Sequence, residues 1–409
     1  MKILHVIAQL PTRTGSGVYY SNVVEELKRF GHNQAALFAV QDGLAFDILP
    51  AEAQYPVPFK SQQLPFPVAG MSDVMPYDNT VYSEMDEGMM DAWQKAFGDT
   101  LAQAKKGFAP DIVILHHLWM LTSMAVEVFD SQVKIGICHN TDLRQAEQNP
   151  HMKNKYVKNL NSLDAIFSLS DDAKDRIVNI FGINQSKIIT IGGGFNQNLF
   201  YPAAAKEKSD KIQIVFAAKI ERSKGVFELV KAFKGVSAVA PNLHLNIVGT
   251  PDGENKQRLA SLMEGHENIS LVHITSQKVL ADFMRSQDIF VMPSYYEGLG
   301  LIAIESLGSG LRVVATEIEA LMTLLGEDVN NSGIIEYVPL PRIFDTDKPI
   351  EEDVPQFIEN LAAKLLTQIK RIENGDAFPA EMLSEVGKHS WRGKAENINE
   401  ILTKLSAEQ

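Results

Sequence analysis

One strand–turn–helix segment restricts the fold of this chain more than any other stretch. Residues Ile289 to Met292 form an apolar run that predicts a buried parallel strand, and apolar residues at helical spacing follow from Leu301 to Leu307. The turn Gly298-Leu299-Gly300 lies between them. A glycine turn that opens a helix presents backbone N–H groups at the positive end of the helix dipole, where they bind phosphate or donate to sugar hydroxyls. The segment therefore predicts an α/β sheet with an anion-binding edge.

Two carboxylates flank this turn. Glu297 stands before the glycines, and Glu305 follows eight residues later. A fully helical span of that length would separate them by roughly 12 Å along the axis. Two acceptors at that separation suit a long polyhydroxyl ligand better than a single metal ion. The spacing alone also fits two unrelated surface glutamates, so the interpretation depends on the surrounding residues.

The run from Asp288 to Thr316 resembles the signature of the retaining GT-B glycosyltransferases of family 4, the glycosyl transferases group 1. The strand, Pro293-Ser294, the Glu297-Gly298-x-Gly300 turn and Gly310-x-x-Val-Val occur in the family's order. The resemblance implies an α/β GT-B fold with two Rossmann-like domains facing across a cleft and a C-terminal helix that crosses back to the N-terminal domain. It implies a hexosyltransferase that moves a sugar from a UDP- or GDP-sugar with retention of configuration. It implies no metal and no other cofactor.

Composition excludes several other classes of protein. The chain has 409 residues, 45% hydrophobic and 22% charged, with a net charge of −13, which argues against general binding to nucleic acid or to anionic membranes. Cys138 is the single cysteine, so no internal disulfide forms and a cytoplasmic location is expected. No apolar run reaches the ~18 residues of a membrane span, and residues 1–8 predict a strand rather than a signal peptide. Peripheral membrane contact stays open, because His151 and the lysines that follow it could dock an anionic acceptor or simply form a solvated helix face.

The first half begins as a doubly wound sheet. Residues 2–8 predict a strand, residues 18–30 a helix and residues 34–40 a second strand. The intervening loop contains Gly15 and Gly17 but lacks the third glycine of a dinucleotide fingerprint. The loop could be an ordinary turn. In the family a glycine loop at this place approaches the donor diphosphate.

Residues 42–100 interrupt this pattern. The stretch is rich in proline and aromatic residues without clear periodicity, which predicts an excursion from the sheet rather than a strand–helix unit. Two interpretations are open. The stretch is either a surface loop that packs its own aromatic side chains or a flap over the acceptor site whose exposed aromatics stack on sugar rings. A helix is expected at 89–108.

Histidines follow the next two strands. His116 and His117 end one strand and His139 ends another, and in an open α/β sheet ligands bind beyond the carboxyl ends of strands. The spacing gives no convincing third metal ligand. The run from His139 to Arg144 resembles the family's His-Gly-Thr-Asp-Leu-Arg, with Asn140 at the glycine. The resemblance implies that His139 faces the donor sugar. His117, Asp142 and Arg144 are the candidate acceptor residues.

The second half repeats the alternation after a small, polar and charged linker at 203–210. The predicted domains are 1–202, joined by a C-terminal helix at 392–409, and 203–391. Ala218 to Gly225 resembles the family's Gly-Arg-Leu-x-x-x-Lys-Gly, so Lys219 and Lys224 are expected on the donor phosphates, with Arg222 as a further basic candidate. Thr250 lies in the turn near which the family's nucleotide base rests.

The resemblance implies a role for each candidate residue. Glu305 would accept hydrogen bonds from the ribose, and Glu297 with the amides of Gly298, Leu299 and Gly300 would hold the donor sugar. The acceptor is a glycan, a lipid-linked sugar or a small molecule. Two alternatives stay open: a non-catalytic sugar- or nucleotide-binding module, and a sugar-nucleotide epimerase of the same fold. A glycan phosphorylase would need a lysine for pyridoxal phosphate, and no such motif is present.

Overall fold

The computed structural model of the protein describes residues 1–41, 44–204 and 209–408. The chain divides into two units. Unit 1 comprises Met1–Gly193 and Gly393–Gln409, and unit 2 comprises Gly194–Arg392. Most of the predicted linker, residues 205–208, lies outside the described residues, as do residues 42, 43 and 409.

Unit 1 is built on a parallel sheet of seven strands. Short runs rich in Ile, Val, Leu and Ala form its five central strands, which are almost wholly buried because both faces of a parallel sheet are covered. The strand order is β3-β2-β1-β6-β7-β8-β9, and every pairing is parallel. Two further short strands, β4 and β5, pair with each other. In chain order the strands are β1 Lys2–Val6, β2 Asn33–Val40, β3 Gln54–Pro58, β4 Ala69–Gly70, β5 Thr80–Val81, β6 Ile112–His116, β7 Val133–Ile137, β8 Ala165–Ser168 and β9 Ile188–Thr190.

The helices of unit 1 connect these strands. They are α1 Gly15–Leu27, α2 Glu87–Gly107, α3 Met120–Val128, α4 Thr141–Gln148, α5 Pro150–Tyr156 and α6 Asp171–Phe181. A single 3-10 turn continues α1 to Gly31, whose φ of 70° ends the helix as predicted. Residues 393–409 group with unit 1, in agreement with the predicted crossing helix. His32 shares a 2.7 Å hydrogen bond with Asn399 from that segment.

The prediction that residues 42–100 leave the sheet is wrong in one part. Residues 54–58 form β3, which pairs in parallel with β2. The two prolines of this strand cannot donate backbone hydrogen bonds, and they are accommodated because β3 is the edge strand. Phe59 and Tyr82 are buried in the core of unit 1. The aromatics therefore pack as a structural element, which fits the first of the two interpretations, and no aromatic side chain among the described residues 44–100 is exposed.

Unit 2 contains a second parallel sheet, of six strands in the order β12-β11-β10-β13-β14-β15. Residues 289–292, in the middle of this sheet, are apolar and buried along their whole length, as predicted for a sheet covered on both faces. A small antiparallel hairpin, β16–β17, occupies the polar insertion near residue 345. The strands are β10 Ile212–Ala217, β11 Leu243–Val248, β12 Ile269–Val272, β13 Ile289–Met292, β14 Arg312–Thr316, β15 Ile335–Val338, β16 Ile343–Phe344 and β17 Lys348–Pro349.

The helices of unit 2 follow the same alternation, and α14 leads from unit 2 into the segment grouped with unit 1. They are α7 Val226–Ser237, α8 Gly253–Met263, α9 Gln277–Met284, α10 Leu301–Gly308, α11 Glu319–Asn330, α12 Val354–Glu373, α13 Ala380–Gly387 and α14 Trp391–Ala407. Among the helices of the described residues, none combines the length and the apolar character needed to cross a bilayer.

The boundary between the units falls at Gly193, earlier than the predicted boundary at 202. The intervening residues pack within unit 2. Phe195 and Phe200 are buried in its core, and a Cβ on Gly308 would lie 2.7 Å from the Phe195 ring. Apolar anchors therefore attach this connecting segment to the second sheet.

Candidate functional site

The turn between β13 and α10 adopts the predicted strand–turn–helix form. Gly300 is the N-cap of α10 with a φ of 66°, a left-handed conformation that glycine adopts without strain. A Cβ at this position would lie 3.0 Å from the Met292 Cε. Gly298 is exposed and Leu299 is half-buried. Because α10 begins only at Leu301, the residues between Glu297 and Glu305 are part turn and part helix. The separation of roughly 12 Å expected for a fully helical span therefore does not apply.

The loop after β10 is fastened to this turn. The Lys224 Nζ lies 2.9 Å from the Glu297 Oε1, and the two side chains are 22% and 20% exposed. The backbone N–H of Tyr295 donates to the Ser223 carbonyl at 2.9 Å. An ion pair at this depth is shielded from salt more than an exposed pair, yet it stays within reach of a ligand. Two of the predicted residues are thus brought into contact.

The other two basic residues of this loop differ in their surroundings. Lys219 is exposed, and its side chain has no hydrogen bond or ion pair to any described residue. Arg222 pairs with Glu351 at 2.5 Å. That contact ties Arg222 to the polar insertion near residue 345 and occupies part of its guanidinium. Lys219 is therefore the less engaged of the two cations.

A buried carboxylate lies next to these loops. Glu228, in the first turn of α7, is completely buried, and neither carboxylate oxygen has a hydrogen-bond partner among the described residues. The hydroxyl of Tyr295 is likewise buried without a partner. Burial, followed by the nearby Glu228 charge, raises the pKa of Tyr295. The sequence does not signal this group, because a glutamate in the first turn of a helix is ordinarily solvated.

Two further contacts involve the predicted nucleoside residues. Thr250 lies just beyond β11, where its Oγ1 is 2.8 Å from the His273 Nδ1. The Gln277 Nε2 donates to the Glu305 Oε1 at 3.2 Å. Burial raises the pKa of the Glu305 carboxyl to about 7, and the hydrogen bond from Gln277 opposes that rise. Glu305 therefore changes charge near neutral pH.

In unit 1 the glycine loop is the beginning of α1, which starts at Gly15 rather than near Val18 as predicted. Thr14 caps the helix by accepting from the Gly17 N–H at 2.9 Å. A Cβ on Gly17 would lie 2.9 Å from the Leu10 and Thr12 backbone, so close packing requires that glycine. Gly15 is exposed, with no atom near the position of a Cβ.

The histidines of β6 and β7 form one buried cluster. The His116 Nδ1 and His139 Nε2 lie 3.0 Å apart, and the His117 and His139 rings are 4.8 Å apart between centroids. Tyr19 meets the His139 ring edge-on at 5.1 Å. Burial lowers the pKa of His117 to about 3 and those of His116 and His139 well below their usual value. The rings are therefore neutral at physiological pH, so in the contact between them one nitrogen donates and the other accepts.

Histidine is a common metal ligand, so this cluster was a candidate metal site. Within residues 1–41, 44–204 and 209–408, no group of three or more His, Cys, Asp or Glu side chains is arranged to hold a metal ion.

Asn140 to Arg144 begins α4. Asn140 adopts the left-handed conformation with a φ of 66°, which explains how asparagine replaces glycine in the family pattern. Asp142 is 0% exposed and accepts from the Leu118 N–H at 2.8 Å and the His139 N–H at 3.1 Å. Burial raises the pKa of its carboxyl, and these hydrogen bonds oppose the rise. Arg144 is exposed. Through these two hydrogen bonds Asp142 has a positioning role for the turn after β7, and its predicted contact with an acceptor stays a prediction.

We expect Asp142→Ala to destabilise the protein by about 3 kcal/mol. The change leaves two buried N–H groups without an acceptor, each costing roughly 1–3 kcal/mol. Urea unfolding measures the effect, with Asp175→Ala on the exposed face of α6 as the control. Equal midpoints for the two variants would contradict the positioning role.

Sequence patterns did not identify Gln277, His273 or Glu228 as candidate site residues. His273 directly follows the end of β12, and Gln277 begins α9 a few residues later. Their position beyond a strand was therefore a usable signal. Glu228 offered none. Its burial depends on packing between segments distant in sequence.

One segment of the chain matches a known family. Residues 199–339 match the family model described as glycosyl transferases group 1. This segment contains Lys219, Lys224, Thr250 and the turn from Glu297 to Glu305. The resemblance seen in the sequence is thereby confirmed.

Similar curated proteins carry glycosyltransferase names. The chain is 28% identical over 197 residues to D-inositol 3-phosphate glycosyltransferase 2 of Catenulispora acidiphila, covering 44% of this chain and 46% of that protein. It is 23% identical over 265 residues to glycogen synthase of Mycobacterium tuberculosis, covering 59% and 62%. The matches thus span less than two thirds of either relative's length.

Solved structures match over the whole chain. Sucrose-phosphate synthase from Thermosynechococcus elongatus aligns with a TM-score of 0.63 and 16% identity, covering 100% of both chains. A glycosyltransferase from Rickettsia africae aligns with a TM-score of 0.62 and 16% identity, covering 100% of this chain and 99% of that one. At these identities the likeness shows the fold, and it confirms the predicted α/β class with two Rossmann-like domains. Residues 199–339 thus match the glycosyl transferases group 1 family model, and the chain has the GT-B fold.

Proposed function

We propose that this chain is a retaining glycosyltransferase that moves a sugar from a nucleotide diphosphate-sugar to an acceptor hydroxyl. The 2.9 Å contact between Lys224 and Glu297 carries the proposal. The contact supports the proposal because the Lys224 cation would pair with the leaving diphosphate and the Glu297 carboxylate would accept from sugar hydroxyls, next to a helix N-terminus that can bind an anion. The acceptor hydroxyl belongs to a glycan, a lipid-linked sugar or a small molecule.

The reaction breaks the bond between the sugar C1 and the diphosphate oxygen and forms a bond between C1 and the acceptor oxygen. With retention, both events occur on one face of the sugar, and the proton of the acceptor hydroxyl passes to the departing phosphate. Lys224 and the more exposed Lys219 would stabilise the charge that develops on the diphosphate. In this scheme the lysines supply the positive charge, and no side chain is needed as a general base.

The other residues of unit 2 would hold the donor. Glu297 and the backbone N–H groups of residues 298–300 would bind the sugar hydroxyls, and Glu305 would accept from the ribose hydroxyls. Thr250 would lie near the base. For unit 1 the family resemblance supports a role for Gly15 and Gly17 toward the diphosphate.

The remaining roles in unit 1 have the same support. His139 would face the donor sugar, and His117 and Arg144 would contact the acceptor. His117 and His139 are buried neighbours, which fits polar groups held at the base of a binding site. Arg144 is exposed and could reach an anionic acceptor.

The direct test is incubation of the protein with UDP- and GDP-sugars, followed by measurement of the free nucleoside diphosphate and of the sugar product by NMR. We expect release of the nucleoside diphosphate and a product with the donor's anomeric configuration. Inverted product would contradict retention. Nucleotide binding without any release would favour a binding module, and an epimerised sugar would favour an epimerase.

We expect Glu305→Gln to weaken the binding of a nucleoside diphosphate by about 1.5–3 kcal/mol, because a hydrogen bond to a charged acceptor is replaced by a neutral one. Isothermal titration calorimetry at pH 8, where the native carboxyl is ionised, measures the loss. Glu373→Gln, an exposed glutamate at the end of α12, is the matched control. Unchanged affinity in the Glu305 variant would exclude the ribose role.

A further inference from the structure

The contact between Gln277 and Glu305 has a consequence for nucleotide binding. Gln277 is the first residue of α9, and Ser276 caps that helix by accepting from the Val279 N–H. The cap fixes the position of the first turn. The Gln277 side chain then donates its Nε2 hydrogen to the Glu305 Oε1 at 3.2 Å. Gln277 is exposed, so this amide lies where the largely buried carboxylate meets solvent.

No charged side chain of the described residues takes part in setting the ionisation of Glu305. Its pKa reflects burial, which raises it to about 7, and the Gln277 hydrogen bond, which opposes the rise. On α9 itself, Lys278 and Asp282 pair with each other at 3.3 Å. The strands and helix packed against α10 carry the charged groups Arg312, Glu381 and Glu385, and none of them contributes.

We propose that Gln277 is a positioning residue that keeps Glu305 in the form and orientation that bind ribose. The amide donates to one carboxylate oxygen, and the other oxygen would accept from the ribose diol. The proposal rests on the proposed function, in which Glu305 is the ribose ligand. Gln277 acts through Glu305, and its removal is expected to change the pH dependence of binding.

The direction of the pH effect follows from the chemistry of the carboxyl group. Ionised Glu305 accepts from both ribose hydroxyls, whereas the protonated group loses an acceptor site. The affinity for a nucleoside diphosphate should therefore fall as the pH drops through about 7. Removing the Gln277 hydrogen bond raises the pKa of Glu305, so the fall should begin at a higher pH. A cation at position 277 should move it to a lower pH.

The experiment compares the full-length protein with Gln277→Met and Gln277→Lys. Calorimetric titration with UDP, and with GDP or ADP if UDP does not bind, is performed from pH 5.5 to 9. A 2′,3′-dideoxynucleoside diphosphate, which lacks the diol, is titrated in parallel, and Gln356→Met on α12 is the control substitution. The dideoxy ligand has the same diphosphate. Comparison with it therefore removes the contribution of phosphate protonation from the pH dependence of binding.

We expect the midpoint for Gln277→Met to rise by about 0.5–1 pH unit and that for Gln277→Lys to fall by a similar amount. At pH 7, close to the native midpoint, the affinity of the Met variant should be about 2- to 5-fold lower. Both differences should disappear with the dideoxy ligand. Unchanged midpoints, or midpoints that move in the same direction, would overturn the inference. Failure of the unaltered protein to bind any nucleoside diphosphate would overturn the proposed function and the inference with it.

Discussion

Lys224→Ala is expected to lower the turnover of the nucleotide-sugar donor by about 100- to 1,000-fold. The estimate is the usual loss when one preorganised group that stabilises transition-state charge is removed. Lys224 is held 2.9 Å from Glu297 and is only 22% exposed, so its ammonium group is oriented before the donor binds. The loss should appear mainly in kcat, because charge develops on the diphosphate as the glycosidic bond breaks.

The measurement is the release of nucleoside diphosphate from the donor under saturating conditions. Lys231→Ala, at an exposed position on α7, is the control for a general loss of positive charge. Glu297→Gln and the double variant complete a double-mutant cycle, which separates the loss of the ion pair from the loss of the cation. Turnover within twofold of the unaltered protein would exclude Lys224 from stabilising the leaving group.

Gly225→Ala is expected to destabilise unit 2 by about 3 kcal/mol or more and to abolish nucleotide binding. Gly225 has a φ of 66°, and a Cβ there would lie 2.0 Å from the Pro293 carbonyl oxygen. The strain of a left-handed conformation adds to the cost of moving backbone. Because Lys224 and the turn that carries Glu297 meet at this point, the displacement would also separate the two residues.

Helix α7, whose N-cap is Gly225, supplies a matched control. Gly235 lies inside α7, and a Cβ there would meet no atom within 4 Å. Gly235→Ala should therefore raise stability by about 0.5–1 kcal/mol, the gain from replacing glycine in a helix interior. Urea unfolding of both variants gives the comparison. If Gly225→Ala were as stable as the unaltered protein, the close contact with Pro293 could not be what holds the loops together.

Elements with strong local signals were predictable from the sequence. The bounds of β13 agree with the apolar run identified at 289–292. Gly300 introduces α10 as the glycine turn predicted. These elements depend on short-range patterns of apolar residues and on the conformational freedom of glycine, both of which are visible in the sequence.

The edge strand β3 shows where local signals failed. Its prolines argued against a strand, but an edge strand needs backbone donors on one side only. Whether a strand lies at an edge depends on the order of the whole sheet. The prolines at 54–58 correctly indicated that backbone donors are missing. The inference that no strand forms there was wrong, because an edge strand tolerates their absence.

The contacts within the candidate site could not be predicted from the sequence either. Lys224 and Glu297 are 73 residues apart, and Gln277 and Glu305 are 28 residues apart. Their meeting depends on the pairing of β10 with β13 and on how α9 and α10 lie beyond the strands. The family pattern indicated residue types at each position, whereas the pairing of Lys224 with Glu297 emerged only from the structure. Asp142 is the converse case, because a residue of a recognised motif proved to be fully buried.

We propose that unit 2 binds a nucleotide diphosphate-sugar through Lys224, Glu297 and Glu305. The most direct measurement is a thermal-shift screen of the protein against UDP, GDP, ADP and their common sugar conjugates, repeated with Glu305→Gln. A ligand present at about 100 times its dissociation constant adds about 2.7 kcal/mol to stability, which is readily detected. We predict a clear rise in Tm with the nucleotides of one base and a smaller rise in the variant. No rise with any of these ligands would contradict the account.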